Sequence, residues 1–245
     1  MGQNKTRAAR LPKLIALPGT LLDARSLAPV LQTLRLRTQT VLLGEAETLD
    51  LEVQRLAALA TEPAIWLGHS LGGIVALHLA ARHPGSVAAL VLLAANARAS
   101  PAGGAARRQA QWQLAQTQGL QALAATKLAP GYDLMLDDPL QATLAAQAQA
   151  VGLQRFEHQL RYADQRPGLL SPRLTLHCPL LALSGGQDRL CPPLQSDEIV
   201  GLSTSSRHVS LPAGGHLCPL QQPQWMATHL QDFLDLSFKS ERGRN

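Results

Sequence analysis

The sequence predicts an α/β protein with a doubly wound, mostly parallel sheet of about six strands and a helical insertion after the fourth predicted strand. Short, almost wholly apolar runs alternate with stretches of helical periodicity, which is typical of parallel strands that helices cover on both faces. Residues 97–170 interrupt this alternation with an Ala- and Gln-rich stretch that contains no strand-like run. The length of 245 residues suits one α/β domain, and the 46% hydrophobic content can bury a large core.

The first part of the chain supplies four predicted strands with predicted helices between them. These strands are the runs 13–17, 38–43, 64–67 and 87–94. They are rich in Leu, Val and Ile, and Pro18-Gly19 ends the first of them, as expected for short buried strands. The pattern also predicts a short helix that Ser26 caps and that runs to about Leu34, followed by helices at 48–61 and 74–83.

The alternation of strand and helix resumes after the insertion. Residues 179–184 and 208–211 are the fifth and sixth predicted strands, and helices are predicted after them at 192–200 and 222–236. The chain therefore divides into a core, an insertion and two tails. The core covers 13–96 and 171–238, the helical insertion covers 97–170, and flexible basic tails cover 1–12 and 239–245.

The formal net charge of +5 does not indicate a nucleic-acid-binding face, because the excess positive charge lies near the two ends of the chain. Lys5, Arg7, Arg10 and Lys13 meet no acidic residue within residues 1–13. No apolar run approaches the ~18 residues that a membrane helix needs, so we expect no membrane partner. Three widely spaced cysteines are too few for a disulfide framework, which favours a reducing, cytoplasmic location.

Residues Gly68-His69-Ser70-Leu71-Gly72 match the G-x-S-x-G pattern of a nucleophile elbow. The context fits, since an apolar predicted strand precedes the motif and a helical pattern follows it. Ser70 would sit on a sharp, strained turn that lifts its Oγ clear of the sheet, and glycine two positions before and after leaves room for that turn. The N-terminus of the next helix favours developing negative charge. Ser70 is therefore the candidate nucleophile.

A serine of this kind needs a base and an acid, which follow it in the order acid, then histidine. Asp188 ends the run Gly185-Gly186-Gln187-Asp188 after a predicted strand, and His216 follows Gly214-Gly215 after the last predicted strand. Loops after parallel strands meet at one edge of a sheet, so both side chains can reach Ser70. We predict that His216 takes the proton of Ser70 and that Asp188 orients the imidazole.

Acyl transfer also requires hydrogen-bond donors for the developing oxyanion. One predicted donor is the backbone N–H of Leu71, which follows the nucleophile. The other is the backbone N–H of Thr20, in the loop that follows the first strand. This chemistry uses side chains and backbone alone, so we expect no cofactor and no metal.

Together these motifs resemble those of the α/β-hydrolase superfamily over about residues 13–236. The likeness rests on the stretches 66–73, 185–188 and 215–220, and it is greatest to the esterases and lactonases around pimeloyl-[acyl-carrier-protein] methyl ester esterase and 3-oxoadipate enol-lactonase. The resemblance implies that the insertion is a cap over the active site. It also implies a serine hydrolase that cleaves a small-molecule carboxylic ester, lactone or thioester through an acyl-enzyme.

The predicted cap defines the substrate only loosely. Its many aliphatic residues suit an acyl chain, and Arg155, Arg161 and Arg166 near its end are candidates for binding an acidic acyl carrier protein. Other activities remain open on the same residues, namely a cofactor-free perhydrolase or haloperoxidase and a hydrolase of carbon–carbon bonds. The alternative of another class is an inactive hydrolase fold that serves as a small-molecule receptor.

Overall fold

The fold is built on one six-stranded sheet in which every neighbouring pair of strands is parallel. It is seen in a computed structural model that describes residues 11–132 and 139–239. The predicted tails, 1–12 and 239–245, fall almost entirely outside the described residues. The strands are β1 (Leu14–Leu17), β2 (Thr38–Thr40), β3 (Ala64–His69), β4 (Val87–Leu93), β5 (Leu180–Gly185) and β6 (Ser206–Leu211). The predicted α/β class and six-stranded parallel sheet are confirmed.

The strand order is β2-β1-β3-β4-β5-β6, so the chain reverses direction across the sheet once. It first moves outward from β1 to β2, and then crosses back to place β3 on the other side of β1. Ligands in open α/β sheets bind beyond the carboxyl ends of the strands at such a switch point. The loop after β1 and the turn after β3 are the two segments that meet there.

Helices cover both faces of the sheet because each carries an apolar stripe that must be buried. On one face pack α2 (Leu49–Leu59), α3 (Leu71–Arg82) and α8 (Pro193–Val200), which bury residues such as Val53, Val75 and Ile199. On the other face pack α1 (Ala28–Leu31), α9 (Cys218–Gln221) and α10 (Pro223–Lys239), which bury residues such as Val30, Cys218 and Leu230. The doubly wound arrangement follows from these two separate cores.

The segment between β4 and β5 is helical, as the sequence predicts, and has a core of its own. It contains α4 (Gly104–Leu123), a π-helical turn (Ala124–Leu128), α5 (Ala129–Gly131), α6 (Leu140–Val151) and α7 (Leu153–Gln165). Their apolar residues cluster with Leu21, Leu22 and Leu217, which belong to loops at the carboxyl edge of the sheet. The insertion is therefore packed onto that edge of the sheet.

Two local predictions in the first part of the chain are wrong. Ser26 does not cap a helix, because Asp23 caps a 3₁₀ turn at Ala24–Ser26 and the Ser26 hydroxyl bonds back to the Asp23 carbonyl. The second strand ends at Thr40 rather than residue 43, and the Leu43 carbonyl instead accepts a hydrogen bond from Gln159 of α7. Within the described ranges, no helix combines the length and the apolar character that a membrane crossing requires.

Candidate active site

Ser70 lies on the sharp turn that joins β3 to α3, with the backbone strain that the sequence motif predicts. Its φ of 53° and ψ of −117° fall where side-chain-bearing residues are rarely found. A Cβ on Gly68 would lie 2.4 Å from the carbonyl oxygen of Gly72, and a Cβ on Gly72 would lie 2.0 Å from that of Leu17. The two glycines are thus required because backbone fills the space on both sides of the turn.

Two hydrogen bonds connect Ser70 to His216 and His216 to Asp188. His216 Nε2 is 2.9 Å from Ser70 Oγ, and His216 Nδ1 is 2.8 Å from Asp188 Oδ2. A carboxylate only accepts hydrogen bonds, so Nδ1 carries the proton and Nε2 presents its lone pair to the Ser70 hydroxyl. In this tautomer the histidine can accept the serine proton. The structure brings together the three residues that the chain order predicts.

Asp188 is held in its orientation by backbone donors as well as by His216. Its Oδ1 accepts hydrogen bonds from the N–H groups of Leu190 and Cys191, at 2.8 and 2.9 Å. Burial acts to raise the pKa of Asp188, but the hydrogen bond and charge of His216 and the two backbone donors outweigh it and hold the pKa below its ordinary value. The side chain is therefore an oriented carboxylate anion.

His69, the neighbour of the nucleophile, points away from the reacting atoms and contacts the backbone of His216. Its Nε2–H donates to the His216 carbonyl at 2.9 Å, and its ring centroid lies 5.3 Å from that of His216. Burial and the proximity of His216 lower the pKa of His69 to about 3, so the ring is neutral. His69 thus supports the loop that carries His216.

The loop after β1 places Thr20 beside Ser70, where the predicted oxyanion donor is required. A Cβ on Gly19 would lie 3.2 Å from Ser70 Cβ, so the loop passes directly against the nucleophile. Within residues 11–132 and 139–239 no hydrogen bond is made by the Thr20 N–H. The Leu71 N–H is in the first turn of α3, where backbone donors lack intrahelical acceptors. The two predicted donors therefore belong to residues that border the same cavity as Ser70.

Two glutamines of the insertion, which sequence reasoning missed, fix the shape of this loop. Gln159 Oε1 accepts the N–H of Leu21 at 2.9 Å, and Gln147 Oε1 accepts the N–H of Asp23 at 2.9 Å. Leu21 has a positive φ of 56°, which is unfavourable for leucine and needs such support. A glutamine in a helical pattern gives no signal in a single sequence that it will bind a distant loop.

A cavity of about 380 Å³ opens onto Ser70 and is walled largely by the insertion. Thr20, Leu71 and His216 border it from the core side, and Leu128, Tyr132, Gln159 and Leu160 border it from the insertion. The Tyr132 ring stacks on the His216 imidazole, with 5.2 Å between centroids and 13° between planes. The sequence motifs did not indicate Tyr132, because its contact with His216 depends on how the insertion docks.

The three arginines predicted to bind a carrier protein have different environments. Arg155 is ion-paired with Glu45, and Arg161 is ion-paired with Glu47 and with Glu157. The pairs with Glu45 and Glu47 link α7 to the loop that follows β2, whereas the pair with Glu157 lies within α7. Arg166 instead lies at the cavity, and its guanidinium donates to the carbonyls of Arg98 and Ala163.

Asp188, Cys191 and His216 also form the one cluster in the described part of the chain whose ligand atoms lie close enough for a metal, all within 4.8 Å. Both Asp188 oxygens are already engaged in hydrogen bonds. Burial and the Asp188 charge raise the pKa of Cys191 to about 12, so its thiol keeps its proton at neutral pH. Asp188 and His216 are thus bonded to each other, and Cys191 keeps a proton that a metal ligand would have to lose. The cysteines at 178, 191 and 218 are free thiols.

Residues 14–229 of the chain match the alpha/beta hydrolase family. The chain belongs to this family. Among curated relatives of this alpha/beta hydrolase is the pimeloyl-[acyl-carrier protein] methyl ester esterase of Xanthomonas oryzae pv. oryzae, which is 31% identical over 196 residues. That match covers 72% of this chain and 73% of the relative.

Solved structures support the same fold assignment for this alpha/beta hydrolase. An esterase from Thermogutta terrifontis superposes with a TM-score of 0.81 at 20% identity, over 94% of this chain and 92% of the other. The enol-lactonase from Burkholderia xenovorans superposes with a TM-score of 0.77 at 22% identity, over 93% of each chain. The predicted resemblance to the esterase and lactonase group is confirmed.

Proposed function

We propose that the protein is a serine hydrolase that cleaves a carboxylic ester or thioester through an acyl-enzyme on Ser70. The observation that carries this proposal is the hydrogen-bonded line from Ser70 Oγ through His216 to Asp188, at 2.9 and 2.8 Å, on a strained elbow. The similarity to a curated methyl ester esterase supports the ester class.

The reaction begins when His216 Nε2 removes the Ser70 hydroxyl proton as Oγ attacks the ester carbonyl. The carbonyl oxygen gains negative charge and receives hydrogen bonds from the N–H groups of Leu71 and Thr20. The imidazolium, which Asp188 stabilises, then protonates the leaving alcohol or thiol. Water then enters, gives a proton to His216 and attacks the acyl carbon. The bond from the acyl carbon to Ser70 Oγ breaks, and the imidazolium returns its proton to Oγ, which releases the acid and restores Ser70.

We also propose that the insertion acts as a cap that forms the substrate cavity and excludes water around it. Its Tyr132 covers one face of the His216 ring, and its Leu128 and Leu160 provide apolar wall for an acyl chain. A cavity screened from bulk water strengthens the hydrogen bonds that stabilise the oxyanion.

A carrier-bound ester is the second candidate substrate, and an acyl carrier protein would then be the partner. The similarity to a pimeloyl-[acyl-carrier protein] methyl ester esterase favours it. Arg155 and Arg161 already have acidic partners, so we expect Arg166 at the cavity to contribute more to such an encounter. This partner would be supported if added salt lowered the rate of hydrolysis of the carrier-bound ester but left the rate on the free ester unchanged.

The test of the proposed function is pre-steady-state hydrolysis of p-nitrophenyl esters of increasing acyl length. An acyl-enzyme predicts a burst of p-nitrophenol stoichiometric with the enzyme, followed by a slower steady rate, wherever deacylation limits turnover. Ser70→Ala must abolish both phases. Hydrolysis by Ser70→Ala at the wild-type rate would contradict the proposal, and activity that appears only with added peroxide would favour the perhydrolase alternative.

A further inference from the structure

The wall of the Ser70 cavity carries several positive charges and, among its described residues, no carboxylate. Five basic side chains border the cavity: Arg107, Arg108, Lys127, Arg166 and Arg189. The cluster does not follow from a generally basic sequence, because residues 14–238 as a whole hold 15 basic and 16 acidic residues. A cluster of one sign around a cleft raises the local concentration of ligands of the opposite sign.

Arg166 has no ion pair with an acid within residues 11–132 and 139–239. It is half-buried, and its guanidinium donates hydrogen bonds to the neutral carbonyls of Arg98 and Ala163 at 3.1 and 2.8 Å. The neighbouring Arg108 is ion-paired with Asp164 and also contacts Ser100. Burial and the charge of Arg108 lower the pKa of Arg166, which a bound anion would reverse.

Arg107 and Lys127 extend the positive charge toward the mouth of the cavity. Both side chains are exposed, and neither forms an ion pair with an acid in the described ranges. Arg107 lies on α4 and Lys127 on the π-helical turn, so two different segments of the insertion present cations to the same opening. Exposed cations of this kind contribute long-range attraction that salt screens.

We propose that Arg166, assisted by Arg107 and Lys127, forms an anion-binding subsite for a carboxylate or phosphate that the substrate carries away from its ester bond. This inference rests on the proposed function and names its substrate class. The protein then prefers esters that carry an anionic group in addition to the ester bond, such as half-esters of dicarboxylic acids. Planar guanidinium donors bind such oxyanions by paired, charge-assisted hydrogen bonds.

The test compares two series of methyl esters matched in chain length: monomethyl esters of dicarboxylic acids, and methyl esters of monocarboxylic acids. We expect kcat/KM to favour the half-ester by on the order of ten- to hundredfold at the chain length that reaches Arg166. Arg166→Gln should remove most of this preference. The double variant Arg107→Gln/Lys127→Gln should reduce it and weaken its dependence on salt.

Two further measurements complete the test. One distinguishes a phosphate from a carboxylate as the bound anion, and the other is a control variant. A methyl ester linked to phosphopantetheine carries a phosphate instead, and a preference for it that Arg166→Gln removes would also support the subsite. Arg207→Gln, an exposed arginine on β6 outside the cavity lining, is the matched control and should leave the preference intact.

Equal kcat/KM values for charged and neutral esters in the wild type would overturn the anion subsite and leave the proposed esterase standing. A preference that survives both the single and the double variant would overturn it as well. Absence of Ser70-dependent hydrolysis of any ester would instead refute the proposed function itself.

Discussion

Replacing Asp188 with asparagine should reverse the tautomer of His216 and thereby stop the reaction without removing any atom from the site. The amide oxygen of the new side chain has one favourable position, facing the N–H groups of Leu190 and Cys191 that now donate to Oδ1. Its NH₂ group then faces His216 Nδ1, where Asp188 Oδ2 accepts at 2.8 Å in the wild type. A donor in that position forces Nδ1 to act as an acceptor and moves the proton to Nε2.

The protonated Nε2 donates to Ser70 Oγ and cannot take its proton. In a Ser–His–Asp arrangement this exchange costs about 10⁴-fold in kcat, or roughly 5 kcal/mol in the free energy of activation. The opposite amide orientation would direct the NH₂ group at two backbone donors and leave both without an acceptor. That orientation is therefore unfavourable and does not restore the wild-type tautomer. Hydrogen-bond geometry thus makes the effect large although the change in volume is negligible.

The assay is steady-state hydrolysis of a p-nitrophenyl ester by purified wild type and Asp188→Asn, with thermal unfolding of both to establish that they are folded. Asp197→Asn is the matched control, since Asp197 accepts a hydrogen bond from His208 Nδ1 at 2.7 Å outside the cavity lining. We expect Asp197→Asn to keep wild-type kcat. A folded Asp188→Asn variant with more than about a tenth of wild-type kcat would refute the assigned role of Asp188.

Four other variants probe the nucleophile, the loop and the buried histidines. Ser70→Ala should lower kcat by at least about 10⁴-fold, and Ser70→Gly should unfold at a higher temperature than Ser70→Ala because glycine relieves the φ of 53°. Gln159→Leu leaves the Leu21 N–H unpartnered, so kcat and the free energy of unfolding should both fall, the latter by about 1–3 kcal/mol; an unchanged kcat would contradict its positioning role. Burial lowers the pKa of His69 to about 3 and of His78 to about 4, so each takes up a proton on unfolding below pH 6.5. Urea titrations should therefore show stability rising with pH between about 4 and 6.5, by up to about 1.4 kcal/mol per pH unit for each histidine, and His78→Leu should reduce that slope.

The sequence was most informative about the nucleophile turn, because the constraint there is local and steric. A sharp turn excludes side chains at Gly68 and Gly72, and that exclusion is visible as two glycines at fixed spacing. Asp188 and His216 could be placed at the same edge because residues that end parallel strands converge there. Apolar runs and their lengths likewise sufficed to predict a six-stranded parallel sheet.

The parts of the site that depend on how helices dock could not be predicted from the same patterns. Helical periodicity shows which face of a helix is apolar, but it does not show what a polar residue on another face will contact. Gln159 and Tyr132 therefore looked like ordinary helix residues, although one binds the loop beside Thr20 and the other covers His216. Arg155 and Arg166 looked equivalent, yet one is ion-paired with Glu45 and the other borders the cavity.

The proposed chemistry requires Ser70 to be an activated nucleophile, and one measurement tests this directly. Intact-protein mass spectrometry after treatment with a fluorophosphonate reports covalent attack without any assumption about the substrate. We predict a single adduct that peptide mapping locates on Ser70, and that is absent from both Ser70→Ala and heat-unfolded protein. An unmodified wild-type protein would contradict the account and favour a receptor that has the fold of a hydrolase without its chemistry.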